Sequence, residues 1–238
     1  MSKTRTREQG DGDVAALDQL AREDAGSRAQ FLKMVGGAGA AGALAIFVAA
    51  CGGDDEEEEP SGGGSSDSGS SGGGKASKGD IAIVNYALTL EHLESAFYQQ
   101  VLESGEIKDP KIGEVAKSIS EDEMMHVEAL TATVEQLGGK PAKAPQTAFD
   151  DVIAGGPQMI LETAASVENL GAAAYLGQAG RIKNKEILAA ALSIHTVEAR
   201  HAAVLNQAVG KTIVPDGAFA KPATMEEVLK AVKPFIKA

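Results

Sequence analysis

From about residue 79 onward, inward-facing residues recur at alternating steps of four and three. One run is Ile112, Ala116, Ile119, then Leu130, Thr133 and Leu137; another is Ile187, Ala191, Ile194, then Leu205 and Ala208. That spacing lines one face of an α-helix and turns it toward a core. Punctuation divides the chain into four long helices. The first is predicted over Asp80 to Ser104, stopped by Gly105, and the second opens at Asp109-Pro110 and ends at Gly138-Gly139. The third runs from about Pro157 to Ala179 with Gly180 beyond it, and the fourth from about Lys185 to Val209 with Gly210 beyond it. A short C-terminal helix from Met225 is signalled by the capping box Thr224-x-x-Glu227. No stretch alternates with period two over a strand's length, so the fold class is all-α.

Connection lengths predict the topology. About five residues join the first helix to the second and the third to the fourth, which makes each pair an antiparallel hairpin. Between the pairs lie 18 residues, Gly139 to Gly156. That is long enough to run the length of a bundle, so the second and third helices point the same way. The expectation is a four-helix bundle with one long crossover between helices 2 and 3, spanning 80–210, followed by an extension over 211–238.

Each seam is interrupted at its middle by groups that belong in water. The second helix carries Glu123 and His126, and the fourth Glu198 and His201, the same Glu-x-x-His at the same depth. The first helix places Glu91 on its apolar stripe with Tyr98 seven residues on, and the third places Glu168 with Tyr175 seven residues on. From Glu91 to Glu123 is 32 residues and from Glu168 to Glu198 is 30, so the hairpin is written twice. Glu94 also lies near the first stripe, but its counterpart in the second half is Gly171. It stays open whether Glu94 is an extra ligand or an acid beside the ligands. His92 and His195 fall off the seams and read as rim or surface histidines, and Met124 and Met125 as gap fillers.

Four inward carboxylates would each cost several kcal/mol if buried ionised and unpaired. Two divalent cations cancel the four charges of Glu91, Glu123, Glu168 and Glu198, and the imidazoles of His126 and His201 complete the donor set. Oxygen-rich coordination with one histidine per metal suits iron or manganese.

Composition sets the first third of the chain apart. The 238 residues carry a formal charge of −12, which argues against a nucleic-acid footprint, and the foldable part is about 160 residues. The single cysteine, Cys51, excludes an internal disulfide framework and a Cys-x-x-Cys metal knuckle. Residues 1–50 read as an export signal: a polar arm to Lys33, then the small and apolar run MVGGAGAAGALAIFVAAC. Val48-Ala49-Ala50-Cys51 resembles a bacterial lipobox, which implies a lipid-anchor role for Cys51. Ser27-Arg28-Ala29-Gln30-Phe31-Leu32-Lys33 is similar to a twin-arginine signal with Ala29 in place of the second arginine. The alternative is an uncleaved membrane span; either way the expected location is extracytoplasmic and tethered to the cell membrane. Residues 51–79, with the acidic run Asp54 to Glu59 and a Gly/Ser-rich tract, read as a disordered linker with a reach of roughly 30 Å.

LTLEHLESAFY, EDEMMH, SVENLGAAAY and VEARH together resemble the ferritin-like superfamily, in particular its extracytoplasmic bacterial ferritin-like domains. A glutamate from each of two helices with Glu-x-x-His from the other two is the donor set of ferritin-like di-iron and di-manganese proteins. The resemblance implies a dinuclear centre reacting with oxygen or peroxide, in which Glu123 and Glu198 bridge the metals. Glu91 and Glu168 are then terminal ligands, His126 and His201 hold one metal each, and Tyr98 and Tyr175 orient carboxylates or pass electrons. Read without the resemblance, the two tyrosines are equally well core aromatics. Two function classes follow: redox chemistry on peroxide or ferrous iron, with Glu123 and Glu198 as the catalytic carboxylates, or a non-catalytic stress- or desiccation-related envelope protein. Homo-oligomerisation is left open, though a closed storage cage does not suit a lipid-tethered chain.

Overall fold

A computed structural model describes residues 77–237. The export signal, Cys51 and nearly all of the linker lie outside the described residues. Helix α1 spans Lys78–Ser104, α2 Pro110–Gln136, α3 Asp150–Ala154, α4 Gly156–Ala179, α5 Lys185–Ala208 and α6 Met225–Val232, followed by a 3-10 turn at Lys233–Phe235. Among the described residues no strand forms beyond an isolated bridge between Thr147 and Ile236. The chain is an all-α bundle.

The predicted signals end the helices where expected, with one shift. Helix α1 begins at Lys78, inside the stretch read as linker, because Ser77 and Asp80 form a reciprocal capping box. Gly105 closes it in the left-handed region, at φ 63. Asp109 caps α2 through the amides of Lys111 and Ile112, and Asn184 caps α5 through those of Glu186 and Ile187. The buried carboxylate of Asp80 also accepts from the Lys183 amide at 2.8 Å. That bond ties the start of α1 to the α4–α5 turn.

The crossover runs back along α1. Asn85, near the start of α1, donates to the Lys140 carbonyl and accepts from the Ala142 amide; four turns on, Gln100 donates to Thr147. Helix α4 therefore starts at the far end of the bundle and points the same way as α2. The one-turn helix α3 lies outside the sequence expectation, since five residues are too short to show a period. It follows Phe149, which is buried with its ring 5.0 Å from Phe97 and 5.2 Å from Phe235.

The segment after residue 210 packs onto the bundle. Val228 and Val232 are buried with Tyr86, Leu90, Leu93 and Ala174, and the Ala223 amide donates to the Ala173 carbonyl. Gly177 permits this approach, because a Cβ there would overlap the Ala223 carbonyl. Gly177→Ala should therefore destabilise the protein by about 1–3 kcal/mol and expose 211–224 to limited proteolysis, with helix content retained. Wild-type proteolysis rates in this variant would contradict the packing role.

Candidate metal centre

All four seams deliver their central groups to one place. Glu91, Glu123, Glu168 and Glu198 are fully buried, and His126 and His201 are at most 9% exposed. Helical phase explains the convergence: Glu123 and His126 share a face of α2, as Glu198 and His201 do on α5, with Glu91 and Glu168 opposite on α1 and α4. Away from the centre the seams are less complete: Ala208 is exposed, and Ile112, Leu137 and Ala191 are half-buried.

The donors form two overlapping groups. Glu91, Glu123, His126 and Glu198 offer one atom each within 4.8 Å of one another, and so do Glu123, Glu168, Glu198 and His201. Glu123 and Glu198 belong to both. His126 Nδ1 lies 3.1 Å from Glu91, 3.3 Å from Glu123 and 3.2 Å from Glu198, three carboxylates around a nitrogen that carries at most one proton. His201 Nδ1 lies 3.1 Å from Glu123 and 3.3 Å from Glu168, yet it has no hydrogen-bond partner there. Glu123 Oε1, Glu168 Oε2 and both oxygens of Glu198 are likewise buried without one. Donor atoms that crowd a common space without bonding one another are what a cation between them would satisfy.

Buried like charges set the protonation pattern. Burial, then the charge of Glu168, pushes the Glu123 carboxyl up to about 7, against the pull of His126. Burial and the neighbouring carboxylates also hold Glu198 well above the usual carboxylate range. Burial acts the same way on Glu91, but His126 beside it and the hydrogen bonds with Glu123 and Tyr175 together outweigh burial and hold it below its ordinary value. Burial would depress both histidines; carboxylates reverse this, Glu91 and Glu123 raising His126, and Asp122, Glu123 and Glu168 raising His201.

The tyrosines cross between the two halves of the repeat. Tyr98 donates to Glu168 at 2.6 Å and Tyr175 donates to Glu91, so each holds the other hairpin's glutamate. Burial, then the accepting glutamate, raises both phenols far above their ordinary value, keeping them as donors. Asp122 is a member of the site that the seams do not reveal: its carboxylate accepts from His201 Nε2 at 2.9 Å, leaving Nδ1 to face the centre. Its only signal in the sequence is its place within EDEMMH, because position 122 faces away from the seam. His195 Nδ1 meets the Ala172 carbonyl and His92 Nε2 the Ala142 carbonyl, so neither reaches the centre.

A four-helix bundle with buried carboxylate–histidine clusters suited to divalent metal defines a class of protein. The chain belongs to the ferritin-like domain family, whose pattern matches residues 79–211, more than half of its length. No curated protein matches the chain.

Proposed function

We propose that the cluster holds a dinuclear iron or manganese centre that carries out redox chemistry on peroxide or dioxygen, either peroxide removal or ferrous oxidation. The protein would be extracytoplasmic and held at the membrane by a lipidated Cys51. The observation that carries the reading is the pair of four-donor groups sharing Glu123 and Glu198. In this assignment Glu123 and Glu198, common to both donor groups, would be shared by the two ions, while Glu91 with His126 would complete one position and Glu168 with His201 the other. The ions supply the change of oxidation state that no side chain here provides.

The chain's own groups orient the donors and keep the centre dry. Tyr98 and Tyr175 fix the carboxylates of Glu168 and Glu91, and Asp122 fixes the tautomer of His201. A mostly apolar cavity of about 120 Å³ has Tyr98 among its lining residues, with Val101, Ala116, Ala164 and Leu205, and none of the six donors lines it, so Tyr98 stands between this cavity and Glu168.

Metal analysis of the purified chain should return close to two iron or manganese atoms, and Glu198→Ala should abolish oxygen evolution from peroxide or ferrous oxidation. If wild type leaves both substrates untouched while staying folded, the non-catalytic envelope role replaces this reading. Cys51→Ser should move the protein from the membrane fraction to the soluble one; a variant still tethered would favour an uncleaved span.

A further inference from the structure

The two halves of the repeat differ at one position facing the centre: Glu94 on α1 stands where α4 has Gly171. Glu94 is 5% exposed, and its Oε2 is buried without a hydrogen-bond partner. A Cβ on Gly171 would lie 2.8 Å from Glu94 Oε1 and 2.8 Å from Glu198 Oε2. The glycine thus leaves open the space between these two carboxylates. Apolar side chains enclose the other side of Glu94: Leu90, Leu93 and Phe97 from α1, Val167 from α4, and Val228 and Val232 from α6.

Charge makes this a question about the metal. Glu91, Glu123, Glu168 and Glu198 balance two divalent cations, and an ionised Glu94 adds a fifth negative charge with no cationic side chain among the residues enclosing it. Glu94 lies one turn beyond Glu91 on α1 and faces Glu198 across the space over Gly171, and both of these carboxylates are members of the His126 group.

We propose that Glu94 is a seventh donor of the centre, drawn through the space over Gly171 toward the metal position built by Glu91, Glu123, His126 and Glu198. The inference rests on the metal-centre reading above. It makes the two positions unequal: one has an added carboxylate, while the other has Asp122 behind its histidine. Gly171 is then the residue that reserves the place, and the C-terminal helix keeps water from it.

Divalent cobalt titrated into the metal-free full chain tests this, since calorimetry reads each affinity and visible absorption reads the number of donors. Wild type should bind two cobalt ions with distinct affinities. Glu94→Gln, close to isosteric, should weaken the tighter step roughly tenfold and intensify the visible bands as one ion loses a donor. Gly171→Ala, whose methyl enters the same space, should change the spectrum in the same direction. Wild-type affinities and spectrum in Glu94→Gln overturn the proposal whatever Gly171→Ala does. A wild-type chain that binds no cobalt overturns the metal centre itself, and the two failures are thereby told apart.

Discussion

Glu198→Gln is expected to abolish metal-induced stabilisation while leaving the metal-free protein as stable as wild type or more so. Glu198 is fully buried, belongs to both donor groups, and has no hydrogen-bond partner on either oxygen. Glutamine keeps the shape and is neutral without a proton, so it relieves the metal-free state of the cost of holding one on a carboxyl that burial and its neighbours keep from ionising. The same change removes the group shared by both ions. At a thousandfold excess over its Kd, a ligand binding only the folded state adds about 4 kcal/mol. For a domain of this size that is a rise in Tm on the order of 10 °C. Paired melts with and without manganese should show this rise in wild type and almost none in the variant. An undiminished rise in Glu198→Gln would remove Glu198 from the centre.

The second large effect is a reversal of pH dependence by metal. Glu123 titrates near 7, Glu94 and Glu198 are raised well above the usual carboxylate range, and His126 and His201 are raised above the usual imidazole value. For all five groups the folded chain holds protons that the unfolded chain releases. Their stabilisation is full below about pH 4.5 for the glutamates and about 6.5 for the histidines, and it is lost as pH rises through the folded values. Glu91, held below its ordinary value, acts oppositely and loses its contribution only as pH falls through that lowered value. Raising Glu123 alone from 4.5 to about 7 corresponds to a change on the order of 3 kcal/mol. The metal-free chain should therefore lose stability between pH 5 and 8. Metal competes with those protons, so saturating manganese should make stability rise over the same window. A metal-free chain that grows more stable from pH 5 to 8 would contradict the charge pattern of the site.

Both predictions depend on residues that are legible without coordinates. Glu123, His126, Glu198 and His201 stand out because they interrupt apolar seams at positions set by the helical repeat itself. Glu91 follows from its stripe and from the duplicated hairpin, with Glu168 as its counterpart. Asp122 is not legible, since nothing in a seam marks a carboxylate on the neighbouring face that reaches a histidine 79 positions away. The crossed tyrosines escape for the same reason: a seven-residue interval pairs Tyr98 with Glu91 in the sequence, whereas its hydroxyl meets Glu168. Phe149 and the one-turn helix beside it are hidden in the long crossover, because five helical residues are too few to carry a period.

By itself, then, the sequence determined the helices, their caps, the parallel course of α2 and α4, and which side chains face inward, because backbone geometry and chain length decide those locally. Only the tertiary structure decided which inward groups meet. Tyr98 reaching Glu168, Tyr175 reaching Glu91, Asp122 holding His201, and Glu94 beside the gap left by Gly171 all depend on how far helices distant in sequence rotate and approach. That rotation is set by the packing of the whole core, including Phe149 and the C-terminal helix, and no local period encodes it.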